Sequence, residues 1–197
     1  KPTDIKSLFF ANVFQDKGGF SYIIGNPPYV ETKYFKATSL SMHKYLKTYY
    51  HSFQGKVDLS VIFVERCIDL LALNGKIGFI IQRRWFKTTY GKNARSFIAQ
   101  KGYLNKLFDI GTTDLFPGRI TYVSIMVLQK SICNDVEYAY IQGNRYDVLN
   151  YFAKESVRQI IPGNYFKEEI WAPEFYGIST IKNKYCKLGM LKNNSQV

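Results

Sequence analysis

Two consecutive prolines, Pro27 and Pro28, close an apolar run that begins at Phe20. Neither proline can donate to a β-ladder and both hold φ near −65°, so no sheet continues through them. Asn26, just before the first, is pushed into an extended conformation. The preceding run, Phe-Ser-Tyr-Ile-Ile-Gly from Phe20 to Gly25, reads as a short buried strand. A strand halted in this way ends in a rigid turn. That turn presents the Asn26 side-chain oxygen and the Pro27 carbonyl as fixed acceptors at the end of a sheet. In open α/β sheets the carboxyl end of the strands is where ligands bind.

The residues that follow alternate between two periodicities. Val30 to Gln54 is polar and aromatic, with a helix predicted from about Ser39 to Tyr50. Asp58 to Leu73 is the clearest helix: Asp58 suits an N-cap, and Leu59, Ile62, Phe63, Cys67, Leu70 and Leu71 form an apolar stripe. Asn74-Gly75 is expected to end it. Lys76 to Gln82 then reads as a strand buried on both faces. A helix from Gly91 to Gln100 and strands from Leu104 to Ile110 and from Tyr122 to Gln129 follow, the last also buried on both faces. Gly111 to Arg119 is a loop. This order predicts an α/β sheet of about four strands with parallel members. The last pair is antiparallel, because its connection is too short for a helical crossover. After about Lys130 the pattern loosens to a candidate strand, Val136 to Ile141, and a candidate helix, Tyr146 to Gln159. No periodicity holds from Ile160 onward.

A chain of 197 residues forms one domain with a real core, or one domain and the start of another. Lysine and arginine number 27 against 15 acidic residues, a net charge of +12 that favours a polyanionic partner. Aromatic residues interleaved with lysines suit base stacking beside phosphates, and equally suit a packed core. Cys67, Cys133 and Cys186 are widely spaced and the only histidines are His43 and His51, so neither a zinc site nor a disulfide framework is predicted. Such cysteine usage fits a reducing cytoplasm. No apolar run reaches the ~18 residues of a membrane span. The first residue is Lys1 and no signal-peptide pattern follows, which predicts a piece cut from a longer chain.

Two neighbouring acceptors match an exocyclic amine, which has two hydrogens to donate. The amine of adenine is a weak nucleophile because its lone pair is spread into the ring. Accepting both hydrogens favours the pyramidal form and the positive charge that develops on attack, and no general base is needed to begin. Tyr29 can offer a ring face to such a base. As four isolated residues, however, Asn-Pro-Pro-Tyr reads first as a plain turn between a strand and a loop.

The surroundings of the turn carry a resemblance. Gly18-Gly19-Phe20-Ser21-Tyr22-Ile23-Ile24-Gly25-Asn26-Pro27-Pro28-Tyr29-Val30 resembles the catalytic segment of adenine-specific DNA methyltransferases of restriction–modification systems. Gly55-Lys56-Val57-Asp58-Leu59, Phe63-Val64-Glu65, Leu70 to Lys76, Ile80-Ile81-Gln82-Arg83-Arg84-Trp85, Asp109-Ile110-Gly111 and Leu115-Phe116-Pro117 follow at suitable spacing. The likeness covers roughly residues 18 to 130. It implies a Rossmann-like, S-adenosylmethionine-dependent methyltransferase fold acting on double-stranded DNA. It also implies that Asn26, Pro27, Pro28 and Tyr29 form the catalytic turn. Asn26 and Pro27 would bind the amine and border the cofactor, and Tyr29 and Phe116 would sandwich a flipped-out adenine. Lys56 and Asp58 would line the pocket. Plainer readings stand beside these: a solvated lysine, a helix N-cap and a core phenylalanine.

Two departures from the family pattern stand out. Ser21 occupies a position where the family commonly has aspartate. Gly18-Gly19 follows no apolar strand and opens no helix, so it is no nucleoside cradle. The resemblance thus implies that residues 1–130 are the C-terminal half of a catalytic domain, without its N-terminal cofactor-binding half. Residues 131–197 would extend toward a target-recognition domain. The strand Phe20 to Gly25 would then be a bare edge, predicted to self-associate or to be covered by Lys1 to Lys17. Methylation of RNA bases or of a glutamine amide, and a non-catalytic nucleic-acid-binding module, remain alternative functions.

Overall fold

Helix α1 (Ala11–Lys17) leads into strand β1 (Phe20–Gly25), and helices α2 (Lys33–Thr38), α3 (Leu40–Tyr49) and α4 (Leu59–Leu70) separate it from β2 (Leu71–Gln82). Helices α5 (Arg84–Lys87) and α6 (Lys92–Lys101) precede β3 (Leu104–Asp109) and β4 (Val123–Gln129). Strand β5 (Asp135–Tyr140), helix α7 (Arg145–Ala153) and strand β6 (Gln159–Pro162) follow. The structure is a computed structural model that describes residues 10–31, 33–53, 58–88, 91–111, 115–116, 122–153 and 158–177.

The strands form one sheet in the order β1-β2-β4-β3-β5-β6. β1 and β2 are parallel and in register at Ile23 and Ile77, joined by a helical crossover as parallel neighbours require. β4 inserts antiparallel between β2 and β3, as the short connection predicts. The fold is the Rossmann-like α/β sheet expected, with six strands where about four were predicted. The two further strands come from beyond residue 130: β5, the candidate strand Val136 to Ile141, lies parallel to β3, and β6, which was not predicted, lies antiparallel to β5.

Side chains alternate across this sheet. Ile77, Phe79, Ile81, Leu107, Met126 and Leu128 point to one face, where Val61, Ile62, Val64 and Ile68 of α4 and Ala94 and Ile98 of α6 cover them. Phe108, Ile80 and Ile125 point to the other, against Val148 and Tyr151 of α7. β2 and β4 are therefore buried fully on one face and partly on the other, rather than on both.

Helix α4 stops at Leu70, short of the predicted Leu73. Leu71 is extended, its N–H closes the last helical turn on Cys67 and Ile68, and its side chain is buried in the sheet. The run Leu70-Leu71-Ala72-Leu73 serves helix and strand equally by hydropathy, and burial in the sheet decides it. Asn74-Gly75 consequently ends no helix. Asn74 sits at φ 62° inside β2, where the register against β1 slips between Phe20 and Tyr22. Opposite this slip lies Gly19 at φ 146°, where a Cβ would stand 2.6 Å from the backbone of Leu70, Leu71 and Ala72. Gly18 is the left-handed cap of α1. The glycine pair is thus structural. Farther on, helix α7 is described as far as Ala153; residues 154–157 of the predicted helix lie outside the described residues, and Gln159, also predicted helical, lies in β6.

β1 is an edge strand, as predicted. Helix α1 reaches only its beginning, through edge-on contacts of Phe10 and Phe14 with Phe20. Tyr22 and Ile24 remain 73% and 87% exposed, so the described part of the N-terminal segment does not cover the strand.

Candidate active site

The turn after β1 leaves Asn26 exposed and Pro27 buried, which puts the Asn26 amide at the carboxyl end of the sheet on an anchored backbone. Tyr29 folds back. Its hydroxyl donates to the Ile80 carbonyl of β2 at 2.9 Å, and its ring packs on the cluster of Phe108, Ile110 and Val123. Burial, with a smaller contribution from the Asp58 carboxylate, pushes the Tyr29 phenol up to about 12. It therefore stays a neutral donor through the physiological range. Phe116 is half-buried against the same cluster, beside Leu115. The two aromatic residues named from the sequence are brought to one apolar patch.

Asp58 is completely buried and caps α4. Its Oδ1 accepts from the Ser60 N–H at 2.9 Å and from the Ser60 hydroxyl, and its Oδ2 accepts from Arg84 at 3.3 Å. Its backbone bridges Glu31, and the Leu59 N–H donates to the Val30 carbonyl at 2.9 Å. The N-cap reading of Asp58 holds, and the cap also joins the start of α4 to the segment just after Tyr29. Lys56 and Pro117 lie outside the described residues.

Two arginines that sequence reasoning quoted but gave no role prove to organise this end of the sheet. Arg84 approaches Glu31 at 3.7 Å as well as Asp58, so one guanidinium holds the exit of the turn against the start of α4. Arg83 donates through Nε to Asp109 at 2.7 Å. The buried Asp109 also accepts from the Gly111 N–H at 3.1 Å and lies 3.7 Å from Lys87. Lys87 pairs in turn with Glu174, which Tyr138 reaches at 3.4 Å. The available hint was the doubled arginine at the end of a buried strand, a place where charge needs a partner. Among the described residues no group of histidine, cysteine and carboxylate side chains is arranged to hold a metal ion, and no helix is long and apolar enough to cross a membrane.

Comparison with known proteins places this arrangement. Residues 3–116 match the family model of the Eco57I restriction-modification methylases. The chain belongs to that family. RM.Eco57I of Escherichia coli, a type II restriction enzyme and methyltransferase, is 32% identical over 111 residues, which are 56% of this chain and 11% of that protein. The type II methyltransferase M.XhoI of Xanthomonas vasicola is 34% identical over 113 residues, 56% of this chain and 20% of its own length. Among solved structures, the DrdV–DNA complex shares the fold with a TM-score of 0.58 at 15% identity, over 80% of this chain and 18% of that one. The chain thus spans at most a fifth of the curated relatives named here. The Eco57I match takes in the whole Asn26-Pro27-Pro28-Tyr29 turn, Asp58, both arginines, Asp109 and Phe116, and ends before β4. The remaining strands are joined to the matched part by the sheet itself.

Proposed function

We propose that the complete protein is a DNA adenine methyltransferase of a restriction–modification system, methylating the exocyclic amine of an adenine flipped out of the duplex. The observation that carries this reading is the exposed Asn26 amide on the anchored Pro27 turn, with Tyr29 of the same turn and Phe116 packed on one apolar patch. In this reading the Asn26 oxygen and the Pro27 carbonyl accept the two amine hydrogens and localise the lone pair. Tyr29 and Phe116 hold the base on its two faces, which offsets the few kcal/mol lost on unstacking. Asp58 and Lys56 border the pocket. Family membership, the net charge of +12 and the likeness to DrdV, solved bound to DNA, support double-stranded DNA as the partner.

S-adenosylmethionine, the methyl donor of this reading, would meet Asn26 and Pro27. The described residues do not fit it as a whole site. The flank of β1 is an open edge with Tyr22 and Ile24 exposed, and Gly18 and Gly19 serve the α1–β1 junction instead of a nucleoside. The rest of the pocket is therefore proposed to lie in parts of the protein outside this chain. Residues 131–197 are proposed to lead on toward a target-recognition domain. Assays of methyl transfer by the complete protein to duplex DNA, RNA and protein test the proposal. Transfer to RNA or protein alone would overturn it, and so would absence of transfer to all three.

The base sandwich has its own measurement. Tyr29→Ala and Phe116→Ala are each expected to weaken capture of an extruded base by ~1–3 kcal/mol, the usual worth of a base–aromatic stack. A fluorescent adenine analogue at the target position reports extrusion. An unchanged signal in Phe116→Ala would leave that residue a core phenylalanine only. The bare β1 edge supports a second expectation, that the 197-residue chain self-associates through Phe20–Gly25. Light scattering with hydrogen exchange at Ile23 and Ile24 checks it, and a monomer with fast-exchanging amides there would refute it.

A further inference from the structure

Between Glu31 and Asp58 the sequence has lysines at 33, 36, 44, 47 and 56 and no acidic residue. Five of the 27 basic residues and none of the 15 acidic ones thus fall in one short excursion, and Lys33 pairs with Glu31 at 2.7 Å at its base. The excursion is closed at its base by the Glu31–Asp58 bridge and the Leu59-to-Val30 hydrogen bond. It therefore departs two residues after Tyr29, just past the turn that follows β1, and returns to the cap of α4. Its helix α3 is held from one side. Ser39 caps it, Leu46 is buried against the core, and the His43 ring meets the buried Phe53 edge-on at 5.2 Å.

The rest of α3 faces solvent. Lys44 and Lys47 are exposed, as are Tyr45 and Tyr49, whose rings lie 4.7 Å apart, and Tyr34 of α2 is exposed beneath the Lys33 ammonium at 5.3 Å. A merely solvated helix face has no need of large aromatic rings, and mixed charges would keep it soluble equally well. A face of one sign carrying accessible rings is complementary to a polyanion that also presents stackable surfaces.

We propose that the outer face of α3 is a DNA-binding surface that follows the phosphate backbone beside the base held at Asn26, with Lys44 and Lys47 each neutralising a phosphate. The proposal rests on the DNA reading given above and adds to it the element that grips the duplex. Because both ends of the excursion are tied together just past the turn, phosphate contacts on α3 fix the duplex relative to the turn. Such contacts supply affinity and register and carry no sequence information themselves.

The salt dependence of binding tests the proposal. Each lysine that reaches a phosphate steepens the plot of log affinity against log salt by about 0.9. The complete protein is titrated with a fluorescent duplex oligonucleotide of arbitrary sequence, and with the same sequence as RNA, across a range of sodium chloride. The double variant Lys44→Gln/Lys47→Gln is expected to bind the DNA duplex with a slope shallower by about 1.8 than the wild type. Charge reversal at both positions should weaken binding further. Lys101→Gln, exposed at the opposite end of the sheet where α6 gives way to β3, is expected to leave the slope unchanged. A wild type that binds duplex DNA while the double variant keeps its slope would overturn this proposal and leave the DNA reading standing. A wild type that binds RNA but not duplex DNA, or neither, would overturn both.

Discussion

Replacing Asn26 by alanine is expected to lower turnover of the complete protein by at least about 10²-fold while leaving DNA binding nearly intact, the loss typical of a donor or acceptor aimed at developing charge. The expectation follows from where the residue stands. Asn26 is exposed, so the substitution empties no cavity, and the fold is held elsewhere by Pro27, Tyr29 and β1. In the proposed role, what disappears is one of two acceptors for an amine that becomes positive as the methyl group arrives. The remaining Pro27 carbonyl can take one hydrogen only, so the lone pair is drawn back into the ring. Asn26→Asp keeps an acceptor oxygen at the same reach and is expected to lose less than Asn26→Ala. Single-turnover methylation together with duplex affinity separates the chemical step from binding. A decrease of less than tenfold in Asn26→Ala would remove the residue from the assigned role.

The Asn26–Tyr29 turn was readable in the sequence as a turn because its geometry is local. Two prolines fix their own φ angles whatever surrounds them, and the apolar run before them forms a strand in the structure with the predicted bounds, Phe20–Gly25. Helices α3 and α4 were readable for a similar reason. Ser39 and Asp58 cap them by accepting from the Met42 and Ser60 N–H groups, contacts made within three residues. What stayed hidden is long-range. Arg83 and Asp109 are 26 residues apart, as are Arg84 and Asp58, and nothing in either neighbourhood names the partner. The end of α4 was misplaced because Leu71 is buried by a strand neighbour that hydropathy does not reveal. Strand β6 was missed because its four residues are too few to show a period, and it owes its pairing to β5. The segment after it has no periodicity and yet supplies one of the most buried side chains in the protein.

That side chain is Trp171, and its removal is expected to cost about 3–5 kcal/mol of stability, in the range for large aromatic residues deleted from a core. Trp171 is 1% exposed. Its ring stacks on Phe86 at 5.1 Å and 10° between planes and meets Phe166 edge-on at 5.2 Å. Its indole N–H donates to the Lys167 carbonyl at 2.6 Å, and its backbone N–H donates to the Phe86 carbonyl at 3.0 Å. Alanine would leave a void against Phe86 and remove the donor to the Lys167 carbonyl. Trp171→Phe keeps a stack on Phe86 without the N–H and should cost less. The penalty is large beside a typical total of about 5–15 kcal/mol. The consequence reaches the site, because Phe86 lies in α5 between Arg84, which holds Asp58 and Glu31, and Lys87, which faces Asp109. The neighbouring segment grips the same region: the buried Arg95 donates to the Glu168, Trp85 and Thr88 carbonyls. Loosening the Trp171 contact should therefore free α5 before it frees β2, and the exit of the Asn26–Tyr29 turn with it. Urea unfolding gives the stability change, and hydrogen exchange at Leu59, whose N–H bonds Val30, gives the local one. A loss under about 1 kcal/mol, or unchanged protection at Leu59, would mean that residues 163–177 rest on the sheet without bracing the site.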